Sequence, residues 1–237
     1  MNTLAGHGWP NAPPKADDKE VKRPAGSPWR LRVDDLTVDY GKTRALDRIS
    51  FDIDSNSIVA VFGENGAGKS TLLWAVSGLL LPSFGRIDYP SKSSLRIGFS
   101  AHQSFLYDDL TVMENMILSA RLNGVSDPQV PVREWLDRLG LERVSAKPVS
   151  ALSRGQKQLV SFARAVFPAP HILLLDEPFS NLDAAGANEV CQIIASMRSP
   201  DTLILLASHD RPAASRLATH VLEIRAGRAA PLQMIGR

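Results

Sequence analysis

The run GENGAGKST occupies Gly63 to Thr71 and follows directly on the apolar segment Ile58–Phe62. It fits the spacing G-x-x-x-x-G-K-[ST], a loop built to hold phosphate. Gly63, Gly66 and Gly68 free backbone N–H groups to wrap phosphate oxygens, and Glu64, Asn65 and Ala67 complete the loop. Lys69 has the reach for the β- and γ-phosphates, and Ser70, followed by Thr71, can hold Mg²⁺. Such a loop needs a strand before it and a helix after it. Ile58–Phe62 is wholly apolar and bounded by polar residues, the pattern of a strand buried on both faces. A helix is predicted from Lys69 to about Leu80.

Working outward, two more apolar runs end in polar, reactive side chains. Ile172–Leu175 leads into Asp176 and Glu177, and Leu203–Ala207 leads into Ser208 and His209. Strands are also predicted at Arg30–Tyr40, Ile49–Ile53, Gly85–Tyr89, Arg96–Ser100 and Val221–Arg225, with a turn at Tyr40-Gly41-Lys42. Residues from about 104 to 152 change character. They read as helices, Val112–Leu122 and Val132–Leu139, separated by Gly124, Pro128 and Pro131, and a further helix is predicted at Ala187–Met197. Apolar strands alternating with helices imply an α/β fold with a mostly parallel sheet. In such sheets ligands bind beyond the carboxyl ends of the strands. If the three loaded strands are parallel, Gly63, Asp176–Glu177 and Ser208–His209 meet at one edge.

The chemistry at that edge follows from the residue types. Asp176 would sit in the Mg²⁺ shell. Glu177 has a reference pKa of about 4.3, so it is a carboxylate at neutral pH that can accept a proton or orient water. By itself an apolar run followed by two acids also describes a strand ending in a solvated turn. Gln103, just past Arg96–Ser100, is a surface glutamine or a ligand to Mg²⁺ and water. His209 is an ordinary histidine or a hydrogen-bond donor to a γ-phosphate oxygen. Tyr40 is a partly exposed strand tyrosine or a platform for a purine ring.

A second anion-seeking feature lies far downstream, in ALSRGQKQLV, Ala151 to Val160. Ser153 followed at the third position by Gln156 is a capping box. The apolar stripe Leu159, Phe162, Ala163 and Val166 marks an amphipathic helix. Its N-terminal N–H groups attract anions, yet the stretch has no phosphate loop of its own.

Composition sets bounds. The chain has 237 residues, 44% apolar and 22% charged, enough for one sizeable core or two small ones. A net charge of +2 argues against nucleic-acid binding by bulk electrostatics. The single Cys191 cannot form an internal disulfide and suits a reducing compartment. No apolar run approaches the roughly 18 residues of a membrane helix. Residues 1–28, rich in Pro, Ala, Gly and Lys, read as a disordered tail, with Pro13, Pro14, Asp17, Asp18 and Lys19 where a signal peptide would carry its apolar core. Order is expected over 29–237, in the cytoplasm, with any membrane role exerted through partners. No internal repeat or coiled coil is visible.

GENGAGKST, Gln103, LSRGQ, ILLLDEP, SNLD (Ser180–Asp183) and His209 occur in the order and approximate spacing of an ATP-binding cassette (ABC) nucleotide-binding domain, which the chain resembles from about residue 30 to 226. The resemblance implies a P-loop NTPase core, a small antiparallel β-subdomain and an inserted helical subdomain, about 104–167. It implies ATP and Mg²⁺ as cofactors, with Ser70, Gln103 and Asp176 at the metal. It implies Tyr40 on adenine, Glu177 as catalytic base, Gln103 coupling the Mg²⁺ site to the helical subdomain, and His209 sensing the γ-phosphate. It further implies a head-to-tail dimer, of two copies or with a second cassette. There Ser153, Gly155 and Gln156 of one subunit face the nucleotide on the other, and Asp183 lies in the loop that crosses between them. The family's commonest form has glycine where this chain has Arg154, which either adds positive charge near the nucleotide or points to solvent.

The expected function is the ATPase subunit of a transporter with separate membrane subunits. Phe105, Leu106 and Tyr107 either receive a helix of that partner or pack the subdomain. IGFSAHQSFLYDDLTVMENM, with His102 before Gln103, resembles the haem-exporter ATPase of cytochrome c maturation, so export is expected and haem is the leading substrate. A soluble cassette ATPase acting on DNA or ribosomes is the alternative. Chromosome-maintenance members carry a long coiled coil and ribosomal members two cassettes, and neither is present. A small P-loop kinase would leave LSRGQ and SNLD unexplained.

Overall fold

A computed structural model describes residues 29–90 and 95–235; the expected tail, 1–28, lies outside them. Among the described residues, ten strands and six α-helices follow in the order β1 Arg30–Tyr40, β2 Thr43–Asp54, β3 Ser57–Phe62, α1 Lys69–Val76, β4 Phe84–Asp88, β5 Ile97–Ser100, α2 Val112–Leu122, α3 Gln129–Arg138, α4 Arg154–Val166, β6 Ile172–Asp176, α5 Ala184–Ser196, β7 Leu203–Ala207, α6 Arg211–Leu217, β8 His220–Arg225, β9 Arg228–Ala229 and β10 Gln233–Met234.

The central sheet runs β10-β8-β3-β7-β6-β5, with β9 paired to β8. The β8-β3-β7-β6-β5 pairings are all parallel. β3, β6 and β7 are buried at every position, which is why they read as unbroken apolar runs. Their alternate side chains point to opposite faces. Ile58, Ala60, Phe62, Leu173, Leu175, Ile204 and Leu206 join a core with α2 to α6. Val59, Val61, Ile172, Leu174, Leu203 and Leu205 join a second core with α1 and a separate antiparallel sheet, β2-β1-β4.

Several boundaries differ from expectation. α1 ends at Val76 rather than Leu80, because the Gly78 N–H tightens onto Ala75 O and Gly78 turns left-handed at φ 77°. β2 starts at Thr43, well before Ile49, its polar first half held by cross-strand pairs such as Asp39↔Arg44. α3 starts at Gln129, with Pro131 tolerated in its first turn. α5 starts at Ala184 because Asp183 caps it, Oδ1 accepting from Gly186 N at 2.8 Å. α6 was not predicted; Asp210 caps it, accepting from Ala213 N, and Pro212 sits in its first turn. The capping box of α4 is present, with Ser153 N donating to Gln156 Oε1 at 3.0 Å and Gln156 N to Ser153 Oγ at 3.2 Å. Its stripe differs by one place: Val160 is fully buried, and Leu159 only partly.

Candidate functional site

The parallel register brings the loaded strand ends together. Val61 and Asp176 both pair with Ala207, so Gly63, Glu177 and Ser208 emerge side by side. Next to them Leu175 pairs with Ser100, three positions before Gln103. Beyond this edge lies a cavity of about 520 Å³ lined by residues including Asn65, Gly68, Lys69, Asp176, Glu177 and His209. That volume is in the range of a small-molecule site.

Gly68 opens α1 at φ 111°, and a Cβ there would lie 2.7 Å from Ala45 O. Only glycine lets the loop pass this close to β2. The Lys69 side chain is folded back over the loop, its Nζ donating to Gly63 O at 2.9 Å and Glu64 O at 3.0 Å. At 7% exposure it is a buried cation solvated by carbonyls.

Asp176 is 2% exposed. Burial pushes its pKa up, the neighbouring Glu177 charge adds to this, and the Ser70 hydroxyl, His102 and Lys69 oppose it. A buried carboxylate beside a serine hydroxyl and facing a cavity suits a hard divalent cation completed by phosphate and water. No cluster of three or more His, Cys, Asp or Glu among the described residues forms an all-protein metal cage.

Glu177 takes φ 54°, left-handed for a residue with a side chain. Its surroundings impose this. Its N–H donates to Ala207 O at 2.8 Å, and its carbonyl accepts from Ser180 Oγ at 2.8 Å and Gln158 Nε2 at 3.3 Å. The carboxylate faces the cavity, Oε2 lying 2.7 Å from His209 Nδ1, with Ser208 Oγ and the His209 N–H donating from 3.3 and 3.2 Å. The His209 side chain is 71% exposed and that of Glu177 15%, so the histidine forms the solvent side of the pair.

Of the residues singled out from sequence, Asn65, Gly66, Gly68, Lys69, Ser70, Thr71, Asp176, Glu177 and His209 converge here, whereas Gly63, Glu64 and Ala67 of the same loop do not line the cavity. Gln103 is exposed and does not line the cavity, whereas its neighbour His102 does. Tyr40 is exposed at the end of β1 and is also outside the lining, although Ala45 of the same sheet is part of it. Ser153, Gly155, Gln156 and Asp183 do not line it either. Ser208, expected at this edge, and Ser180, the first residue of SNLD, both bond Glu177, whereas Gln158 was missed, for no local pattern distinguishes it; its role comes from the folding of α4 against the Glu177 turn.

The profile of the family described as "ABC transporter" matches residues 46–180. The chain belongs to this family and is an ATP-binding subunit with the cassette's ATP-hydrolysing domain. The lantibiotic transport ATP-binding protein SrtF of Streptococcus pyogenes is 33% identical over 184 residues, 76% of this chain and 80% of that one. The phosphonates import ATP-binding protein PhnC 2 of Haloarcula marismortui is 36% identical over 222 residues, 83% of this chain and 82% of that one. The dimeric post-hydrolysis cassette MJ0796 bound to ADP and Pi superposes with a TM-score of 0.80, at 23% identity, over 87% of this chain and 99% of that one, and shares its fold.

Proposed function

We propose that this chain hydrolyses ATP at the Lys69–Glu177 edge, in a dimer, to drive export through separate membrane subunits. The observation that carries the hydrolytic part is the meeting of Lys69, Ser70, Asp176, Glu177 and His209 around one cavity. The loop Gly63–Thr71 wraps the phosphates, and Lys69 exchanges the carbonyls of Gly63 and Glu64 for β- and γ-phosphate oxygens. Ser70 and Asp176 would hold Mg²⁺, and Gln103 would be a further ligand to it. The ion, when bound, offsets phosphate charge. Glu177 takes the proton of the attacking water, and His209, released from Glu177, donates to the γ-phosphate. Tyr40 stacks on the adenine.

The signature stretch supports a composite site. At the start of α4 Ser153 is exposed and Gly155 and Gln156 are half-buried, all outside their own cavity, which suits a nucleotide bound to a second subunit, with Asp183 in the crossing loop. ATP would then close the dimer, and hydrolysis reopen it. In this reading residues of about 104–167 form the helical subdomain, and the exposed Phe105 and Tyr107 are its contact with a membrane partner. Leu106 instead packs into the core, so the two roles are divided within one segment. No helix among the described residues is long and apolar enough to cross a membrane, which suits attachment at the inner face of the membrane through partners. The substrate reading, haem for cytochrome c maturation, rests on the His102-Gln103 stretch; relatives bear names as different as lantibiotic transport and phosphonates import. No nucleic-acid partner is proposed.

Glu177→Gln tests the reading. The amide keeps an oxygen acceptor for Ser208 and His209 but cannot take a proton. Hydrolysis should fall about 10²- to 10⁴-fold, ATP should still bind, and ATP-bound dimer should accumulate in size-exclusion chromatography. Turnover near the wild-type rate would remove Glu177 as the base.

A further inference from the structure

Helix α4 carries three polar side chains at successive three-residue intervals, Gln158, Ser161 and Arg164, inside a segment that is otherwise apolar on its packed side. This spacing keeps them on neighbouring turns of one face. All three reach backbone or side chains at the strand ends. Gln158 Nε2 donates to Glu177 O at 3.3 Å. Ser161 Oγ lies 3.2 Å from Ser100 Oγ and 3.4 Å from Ser104 O. Arg164 makes the shortest contacts, Nη1 donating to Phe105 O at 2.6 Å and Nη2 to Ser104 O at 2.7 Å.

We propose that Arg164 is a positioning residue for ATP hydrolysis: its guanidinium fork ties the loop after Gln103 to α4, so that the loop and the signature end of the helix move as one body.

Three observations support this role. First, no carboxylate among the described residues pairs with the half-buried guanidinium. Burial lowers its pKa, with Tyr107 opposing the shift, so burial disfavours the charge it holds. A hydrophobic side chain would pack here without that cost, and packing alone does not account for an arginine. Second, Phe105 stands at φ 47°, left-handed backbone that a phenylalanine adopts only under constraint. Arg164 holds its carbonyl, and the Phe105 ring is held edge-to-face by Trp74, centroids 5.5 Å apart. Third, the two jaws belong to the two helices that matter. Trp74 lies on α1, which begins at Lys69, and Arg164 lies on α4, which begins beside Ser153. The loop carrying Gln103 is thus strung between the nucleotide helix and the signature helix. A planar fork fixes two adjacent carbonyls in direction as well as distance, which an ammonium does not do.

The inference rests on ATP hydrolysis by this chain. Wild-type protein that fails to hydrolyse ATP would refute that reading and leave nothing for Arg164 to position; the test of Arg164 is the comparison against an active wild type. Arg164→Lys keeps the charge and most of the stem but loses the fork. In the full chain it should lower kcat about three- to ten-fold while ATP Kd, measured by equilibrium dialysis, stays within about two-fold. Arg164→Met should lower kcat further, with the same split. Should the methionine variant not fold, the lysine variant decides. Wild-type kcat in Arg164→Lys would overturn the proposal. So would kcat and ATP affinity falling in step, or a lysine variant that cannot fold, since either would make Arg164 a structural residue only.

Discussion

Gly155→Ala sets two known effects against each other at the mouth of α4. Alanine favours a helix over glycine by up to about 1 kcal/mol, so in open space the substitution would stabilise. The space is not open. A Cβ at Gly155 would lie 2.5 Å from Asn181 O, about 1 Å inside the ~3.5 Å at which such atoms rest. Neither side can yield freely. The α4 mouth is fixed by the Ser153–Gln156 capping box, and Asn181 sits at φ 61° in the loop between the Glu177 turn and α5. Overpacking of this kind costs about 1–3 kcal/mol, which outweighs the propensity gain. At about 2–4 °C per kcal/mol for a chain of this size, Tm should fall by a few degrees. A shift of about 1 Å in a reacting geometry costs on the order of 10²-fold in rate, so kcat should fall steeply. ATP affinity should hold, because Gly155 is outside the cavity lined by Lys69. Differential scanning fluorimetry, steady-state ATPase and nucleotide binding read the three quantities. A raised Tm, or wild-type kcat with unchanged Tm, would refute the steric reasoning.

Other consequences are equally direct. Lys69→Ala removes a cation whose bonds to Gly63 O and Glu64 O are poised for exchange with phosphate; ATP Kd should rise about ten-fold or more, roughly 1.4 kcal/mol, with an unchanged circular dichroism spectrum, and unaltered affinity would refute the phosphate role. Asp176, its pKa raised first by burial, contributes stability that is present below its unfolded value of about 3.9 and lost as pH rises through the folded value. In nucleotide-free, chelator-treated protein, Asp176→Asn should therefore melt above wild type at neutral pH, with the gap closing as pH falls toward 4. A gap of constant size, or a less stable variant, would contradict the burial argument.

Much of the fold was legible because burial on both faces leaves an unmistakable trace. IVAVF, ILLL and LILLA cannot alternate, so each announces a central strand of a parallel sheet. The weaker elements were not legible. α6 is short and carried by one cap, and the first half of β2 is largely polar because its side chains pair across the exposed face of the sheet β2-β1-β4. At the site, Lys69 was legible from the spacing of the glycine loop, and Asp176, Glu177 and His209 because strand ends mark where reactive side chains gather. Gln103 was placed at the cavity from its sequence position, but the loop after β5 presents His102 there instead.

By itself the sequence determined the class of protein, the phosphate loop and the capped start of α4, for these depend on residues close together in the chain. Ser153 and Gln156 cap a helix wherever that helix is packed. The tertiary structure decided what that helix does. Gln158, Ser161 and Arg164 look from sequence like polar interruptions of an amphipathic stripe. Only the packing of α4 across the strand ends turns them into contacts with Glu177, Ser104 and Phe105. Their partners are backbone carbonyls remote in the chain, and a carbonyl has no letter in the sequence. It becomes a partner only when a distant segment brings it within hydrogen-bond reach.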